Sequence, residues 1–120
     1  MKTQSFTLHT EKQGCYDITA AVHKCISDAG IQSGLCVVFC PHTTAAIAVS
    51  KRADVAEDTN NAHTCLMHAR ASEAFIVEDG KLLLGTWQGI YLVETDGPCI
   101  RTYFVKVMAD TEGLEPVRRI

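Results

Sequence analysis

The sequence predicts a single α+β domain in which a mainly antiparallel, β-sandwich-like sheet of six or seven strands is combined with two helices. The chain has 120 residues, which is the size of one domain with a real core. Strand-like alternation dominates the chain from residue 73 onward, and two segments of helical character, residues 18–29 and 62–71, precede it. Neither an internal repeat nor a linker divides the chain, so we assign residues 1–120 to one domain, with the charged residues 110–120 as a loosely attached tail.

The N-terminal third predicts one strand and one helix. Residues 3–9 alternate loosely and predict the first strand. Between positions 18 and 29 apolar residues recur at steps of three and four, which predicts an amphipathic helix. Asp17 is placed to cap its start and Gly30 to end it.

Two further strands flank a polar loop. Residues 35–39 are an apolar run with two adjacent valines, which is typical of a buried strand, and residues 43–49 are small and β-branched. Pro41 lies between them and has no N–H for a sheet hydrogen bond. We therefore expect His42 to lie at a strand edge or corner.

The second half is mostly strand. Residues 50–61 are the most polar of the chain and predict a loop or a frayed helical turn, and the composition of residues 62–71 predicts the second helix. Asp79-Gly80, between two apolar runs, is a strong hairpin signal. Strands are predicted at residues 75–78, 82–84, 88–95 and 100–108, with a turn at Asp96-Gly97-Pro98 before the last.

Charge and hydropathy exclude several classes of protein. Eleven basic and 14 acidic residues give a net charge of −3, without the basic patch that nucleic-acid binding requires. No window approaches the length of apolar sequence that spans a membrane, and the N-terminal residues contain no signal-like apolar region. We expect a soluble, cytoplasmic protein with no nucleic-acid and no membrane partner.

The six cysteines allow two interpretations. No CxxC pair occurs and most cysteines lie in apolar stretches, so we expect reduced thiols that pack as small hydrophobes. The alternative is a zinc site on Cys36, Cys40 and His42, whose even spacing would place them on one face of a strand. That site needs a fourth ligand from elsewhere, and Pro41 interrupts the alternation before the histidine.

Glycines at 85 and 89 bracket Thr86-Trp87-Gln88, where the strand is expected to bend. Alternation would place Thr86, Gln88, Glu94 and Asp96 on one face, and Trp87, Tyr91 and Val93 on the other. The first face is polar enough for a pocket and the second would be core. Equally, Trp87 could be a simple core residue and the acids solvated strand ends.

Four residues are candidates for acid–base chemistry or for a divalent metal site: His42, His63, Glu94 and Asp96. Imidazole titrates near neutrality, and carboxylates favour cations. The motifs of nucleophilic triads, phosphate-binding glycine loops and H-E-x-x-H are missing from the sequence.

Three blocks of this sequence resemble those of the YjbQ-like family, also called secondary thiamine-phosphate synthases. They are PHTTA at 41–45, NNAH at 60–63 and EDGKLLLGTWQGIYLVETDGP at 78–98. The resemblance implies a trimer of compact α+β subunits with pockets near the subunit boundaries. It also implies a weak thiamine phosphate synthase activity that joins thiazole phosphate to hydroxymethylpyrimidine diphosphate and releases pyrophosphate.

The resemblance also implies site residues, position by position. His42, His63 and Glu94 carry over as catalytic candidates, and His42 and His63 as candidate ligands of a divalent ion, zinc or magnesium. The candidates for binding a small phosphorylated metabolite are Thr43, Thr44, Thr86, Trp87 and Gln88.

The chain departs from the family pattern in one segment and at two cations. Relatives have an Asn-Glu-Asn-x-Asp-Pro run where this chain has SKRADV at 50–55, and the segment up to position 61 is shortened. Cys65 stands where a lysine is expected, and Cys99 where an arginine is expected. Lys51, Arg52 or Arg101 are the residues that could replace these cations.

These observations leave three hypotheses. The first is an enzyme of phosphorylated metabolites in which Glu94 orients one of the histidines. The second is a non-catalytic metabolite- or metal-binding or assembly protein whose site has been eroded. The third is the zinc protein built on Cys36, Cys40 and His42.

Overall fold

A computed structural model describes residues 3–51 and 68–110 of the chain. Its elements, in chain order, are β1 Thr3–Thr10, β2 Gly14–Asp17, α1 Thr19–Ala29, β3 Gly34–Phe39, β4 Ala45–Lys51, β5 Ser72–Glu78, β6 Lys81–Leu82, β7 Gln88–Glu94 and β8 Cys99–Ala109. The strands form a five-stranded sheet in the order β1-β8-β3-β5-β6 and a three-stranded sheet in the order β2-β7-β4. Every pairing is antiparallel. The predicted α+β class with mainly antiparallel strands is confirmed. The described residues form eight strands in two sheets and one helix, where one sheet of six or seven strands and two helices were predicted.

The helix α1 covers the region that its apolar spacing predicts. Asp17 accepts the N–H of Thr19 through Oδ1 at 2.9 Å, one residue before the N-cap position, which Ile18 occupies. Gly30 ends the helix in the left-handed conformation at φ 70°, and its N–H reaches the carbonyls of Ile26 and Ser27. A glycine adopts this conformation at no steric cost, which explains the stop.

The core lies between the two sheets and the apolar side of α1. Its fully buried members include Val22 and Ile26 from the helix, Val38 from β3 and Leu92 from β7. Burying each of these side chains contributes about 1.5–3 kcal/mol.

Three of the five described cysteines are buried in this core, namely Cys25, Cys36 and Cys40. All five carry free thiols, as expected. Burial raises the pKa of the Cys36 thiol to about 12, so that it stays protonated at neutral pH.

The hairpin signal is confirmed at its predicted position. Asp79 and Gly80 have φ values of 53° and 74° and connect β5 to β6, as a two-residue type I′ turn requires.

Two sequence expectations differ from the structure. The strand β2 was not predicted, because its four residues are half-buried or exposed and show no clear alternation. The second helix was predicted over residues 62–71, of which 62–67 lie outside the described residues. Residues 68–71 are not helical, because Arg70 exchanges backbone hydrogen bonds of 2.7 and 2.8 Å with Ile47 and extends the edge of β4.

At the C-terminal end, Asp110 remains tied to the fold: its N–H donates to the carbonyl of Ser33, and its carboxylate accepts the Ser33 hydroxyl at 2.6 Å. The rest of the predicted tail, residues 111–120, lies outside the described residues. No helix within residues 3–51 and 68–110 is long and apolar enough to cross a membrane.

Candidate functional site

His42 replaces a missing sheet partner at the end of β3. The register of β3 and β8 pairs Phe39 with Phe104, so two residues further along Pro41 would face Thr102. Proline has no N–H to donate to Thr102, and β3 ends at Phe39, before this position. The N–H of Thr102 instead donates to Nε2 of His42 at 2.9 Å.

This hydrogen bond determines which ring nitrogen of His42 is available as a donor. Because Nε2 accepts a hydrogen bond, the neutral ring carries its proton on Nδ1. Within the part of the chain that the structure describes, Nδ1 has no hydrogen-bond partner, and the ring is half-buried. His42 therefore presents one N–H donor from an oriented ring.

Glu94 and Arg101 form a buried ion pair close to the same loop. Arg101 Nε donates to Glu94 Oε1 at 2.7 Å, and Arg101 Nη2 contacts Oε2. Oε1 also accepts the Thr10 hydroxyl at 2.7 Å, and Oε2 accepts the N–H of Asp96 at 3.1 Å. Glu94 is 0% exposed and Arg101 6% exposed.

These partners keep Glu94 ionised. The hydrogen bond from Arg101 is the main cause, and it outweighs burial to lower the pKa of Glu94 to about 2. No hydrogen bond joins Glu94 to His42 among the described residues. The carboxylate that we expected to orient a histidine orients Arg101 instead.

Arg101 in turn holds the loop that carries His42. Its Nη2 donates to the Thr44 hydroxyl at 2.7 Å and approaches the Thr44 carbonyl at 3.3 Å. The Thr95 hydroxyl donates to the same carbonyl at 2.7 Å. Thr44 is thereby anchored, whereas its neighbour Thr43 is exposed.

Thr86 and Trp87 form a tight turn rather than part of a strand. The N–H of Gln88 donates to the carbonyl of Gly85 at 3.0 Å, and Gln88 Oε1 accepts the N–H of Gly85 at 2.8 Å. The two bonds close the turn from both sides. Trp87 is 70% exposed, so the interpretation of Trp87 as a core residue is wrong.

The predicted polar face of β7 is also wrong. Glu94 shares its side of the strand with Ile90 and Leu92, both fully buried. The strand lies between β2 and β4 and is covered on both faces, so every residue from Gly89 to Glu94 is buried. The acid of Glu94 is tolerated there because it is paired.

The two halves of the predicted site lie at opposite ends of β7. Ala45, next to Thr44, pairs with Glu94, whereas Lys51 pairs with Gln88. Six residues of extended strand separate these ends by about 20 Å. Within one chain, the Trp87 turn and the His42 loop therefore cannot contact the same small ligand.

The described residues do not form a metal site by themselves. They contain no group of three or more His, Cys, Asp or Glu side chains that could hold an ion. Nε2 of His42 is already engaged by a donor, and both oxygens of Glu94 are taken by donors. The other predicted ligand, His63, lies outside the described residues, so a histidine-centred ion stays a prediction. The zinc site on Cys36, Cys40 and His42 has no support in this geometry.

Sequence reasoning gave Arg101 too little weight. It named this residue only as one of three replacement cations, although the last strand alternates clearly. Arg101 lies on the same face of β8 as the buried Tyr103, Val105 and Val107. An arginine on the inward face of a strand is almost never fully buried unless it is paired, and that is the signal that could have found the ion pair with Glu94.

Comparisons with known proteins agree with this fold. A family model described as UPF0047 protein YjbQ-like matches residues 4–68 and 56–110. The UPF0047 protein YugU of Bacillus subtilis is 36% identical over 122 residues, covering 82% of this chain and 92% of the relative. A UPF0047 protein of Methanocaldococcus jannaschii is 32% identical and covers 83% and 88%, respectively.

Solved structures show the same likeness. An X-ray structure of a structural-genomics target from C. acetobutylicum superposes with a TM-score of 0.75 at 35% identity, covering 89% of this chain and 99% of that one. A YbjQ-like protein of unknown function from Sulfolobus solfataricus superposes with a TM-score of 0.77 at 28% identity, covering 91% and 97%.

Proposed function

Because this chain belongs to the UPF0047 YjbQ-like family, we propose that it is a low-activity transferase of the thiamine phosphate synthase type. Its substrates would be thiazole phosphate and hydroxymethylpyrimidine diphosphate. The family resemblance of the sequence supplies this reaction, and the geometry around His42 supports it.

The chemistry of this reaction asks little of an acid or base. The thiazole nitrogen uses its lone pair to form a C–N bond to the methylene carbon of the pyrimidine. The C–O bond to the diphosphate breaks, and pyrophosphate leaves with the electron pair. The attacking nitrogen carries no proton, so no general base is required, and the main need is stabilisation of the leaving anion by positioned donors.

The orientation of His42 is the observation that carries the proposal. Its Nε2 is held by the Thr102 N–H at 2.9 Å, so that Nδ1–H is the donor available to a ligand. In the proposed reaction this N–H hydrogen-bonds the departing pyrophosphate. The pKa of Glu94 is lowered to about 2, so its carboxylate is a poor proton acceptor, and the proposed reaction needs no such acceptor.

We propose further that the protein assembles as a homotrimer and that the turn around Trp87 completes the site of a neighbouring copy. The separation of about 20 Å between the two ends of β7 supports this arrangement, because one chain cannot bring both halves together. Thr86, Trp87 and Gln88 would then contact a metabolite bound at the His42 loop of the next subunit.

The proposal is tested by His42→Ala with both substrates and detection of thiamine phosphate. We expect kcat to fall about 100-fold, the usual effect of removing one donor to a developing anion. His23→Ala, on α1, is the matched control and should leave turnover unchanged. His63→Ala tests the second histidine and should also remove activity with folding intact. Wild-type turnover in His42→Ala would contradict the proposal.

The second candidate is a non-catalytic binding or assembly protein. The apolar side chains exposed on the five-stranded sheet favour it, since such side chains serve contact rather than chemistry. Titration with phosphorylated metabolites, zinc and magnesium, together with elemental analysis, separates the two candidates. Binding without turnover, or failure to bind any of these, would favour the non-catalytic role.

A further inference from the structure

We propose that Arg101 and the Thr44 hydroxyl form an oxyanion subsite that takes a phosphate or pyrophosphate group, with Glu94 as the residue that positions the guanidinium. The inference rests on the proposed function, which requires a site for phosphorylated ligands. It adds two residues whose free donors face the same loop.

The planar shape of the guanidinium determines which N–H donors of Arg101 remain for a ligand. Its edge formed by Nε and Nη2 is occupied by the carboxylate of Glu94. The second hydrogen of Nη2 points to the Thr44 hydroxyl at 2.7 Å. Because the group is planar, a hydrogen on Nη1 points in nearly the same direction, toward the loop.

Nη1 is the terminal nitrogen of Arg101 that makes no hydrogen bond to the described residues. Within residues 3–51 and 68–110 it has no hydrogen-bond partner. The Arg101 side chain is 8% exposed. An N–H without a hydrogen-bond partner can donate to a ligand that reaches it.

The Thr44 hydroxyl supplies the second donor. Its oxygen accepts from Arg101 Nη2, and no acceptor for its own hydrogen is present among the described residues. A hydroxyl polarised by a guanidinium is a good donor to an anion. Phosphate oxygens only accept hydrogen bonds, so they match both free donors.

Position favours Arg101 over the other cations that could replace the missing ones. Lys51 pairs with Gln88 at the far end of β4, about 20 Å from Thr44. Arg52 lies outside the described residues.

Glu94 determines how much of the affinity of the subsite for an anion comes from net charge. It neutralises Arg101, so the anion is held mainly by oriented hydrogen bonds and less by net charge. We therefore expect moderate affinity and a weak dependence on ionic strength.

The experiment is calorimetric titration of the intact protein with inorganic pyrophosphate, without the organic substrates. Thr44→Val removes the hydroxyl at nearly constant shape and should weaken binding at least about tenfold. Thr44→Ser restores the hydroxyl and should bind within about twofold of wild type. Arg101→Lys keeps the positive charge but lacks the planar, forked N–H donors of the guanidinium, so it should also bind pyrophosphate weakly. This result counts only if thermal melting shows that the variant is folded.

Lys24→Gln is the matched control, since Lys24 is an exposed cation on α1, outside both sheets. If wild type, Thr44→Val and folded Arg101→Lys bind pyrophosphate equally, or if wild type fails to bind at millimolar concentration, the subsite is overturned. Binding that depends on Thr44 without any condensation turnover would uphold the subsite and reject the proposed reaction. Condensation turnover without Thr44-dependent pyrophosphate binding would reject the subsite and uphold the proposed reaction.

Discussion

At the residue scale, the buried ion pair of Glu94 and Arg101 changes the role that we assign to each side chain. A carboxylate in a sequence block that resembles a known family suggests a catalytic acid or base. Three donor groups surround the carboxylate of Glu94, however, and stabilise its charged form. A carboxyl with a pKa of about 2 is a poor proton acceptor at neutral pH. Its contribution is to hold Arg101 and, through it, the loop at Thr44.

Glu94→Gln should therefore destabilise the protein by about 3–5 kcal/mol at neutral pH, because Arg101 would remain buried without its counter-charge. Urea unfolding measures this loss. Glu78→Gln, at an exposed position of β5, is the control and should change stability by less than about 0.5 kcal/mol. A loss in Glu94→Gln as small as in the control would show that the pair contributes little.

The acid dependence of stability gives a second test of the same pair. The pKa of Glu94 is depressed from 4.5 to about 2, so its stabilisation is complete above the unfolded value and is lost as pH falls toward the folded value. Between about pH 5 and pH 2 the wild type should lose about 3 kcal/mol more unfolding free energy than Glu94→Gln. Parallel pH curves for the two proteins would contradict this assignment.

At the element scale, local signals predicted the elements that are locally determined. Asp79-Gly80 requires only its own backbone preferences to form the hairpin, and Gly30 ends α1 for the same reason. Arg70 shows the opposite case. Its helix-forming surroundings were overridden by pairing with Ile47, a contact that no local pattern contains.

The candidate site was less predictable for a related reason. Sequence blocks identified Thr44, Trp87 and Glu94, but the register of β4 and β7 decides that Trp87 lies at the opposite end from the other two. Alternation assigns a side chain to a face of a strand and says nothing about which neighbouring elements cover that face. Alternation could have placed Arg101 on the inward face of β8, but only the three-dimensional structure identifies Glu94 as its partner.

The Trp87 turn offers an optical test of the shared site, because Trp87 is the only tryptophan of the chain. In a single copy its side chain is 70% exposed and should be quenched strongly by acrylamide. If the turn completes the site of a neighbouring copy, wild-type protein should be quenched less than a variant that cannot assemble. Equal quenching of the two would place the turn outside any contact between copies.

At the scale of the whole molecule, part of the outer face of the five-stranded sheet is an exposed apolar patch. The strand register aligns Ile76, Leu35 and Met108 in one row across three strands, and Leu83, directly after β6, extends the row through its hydrogen bond to Ile76. The exposed fractions of Leu83, Ile76, Leu35 and Met108 are 60, 52, 46 and 38%. On the same face, beyond the pair of Val37 and Lys106, Phe39 stacks on Phe104 with ring centroids 6.4 Å apart. An exposed apolar patch of this kind is typical of a surface that another layer covers, and in the proposed homotrimer further copies of this chain would supply that layer.

Ile76→Lys tests this assignment at the centre of the row. Since Ile76 is already half exposed, the folded subunit should tolerate the change, whereas a charge buried between copies should weaken association by about 3 kcal/mol, roughly 100-fold in the dissociation constant. Light scattering during size-exclusion chromatography should give about three times 13.1 kDa for wild type and about 13.1 kDa for Ile76→Lys. Ala29→Lys, exposed at the end of α1, is the matched control and should keep the wild-type mass. If Ile76→Lys remains assembled with a wild-type melting temperature, the copies meet through another surface; if wild type itself runs at 13.1 kDa, the homotrimer is rejected.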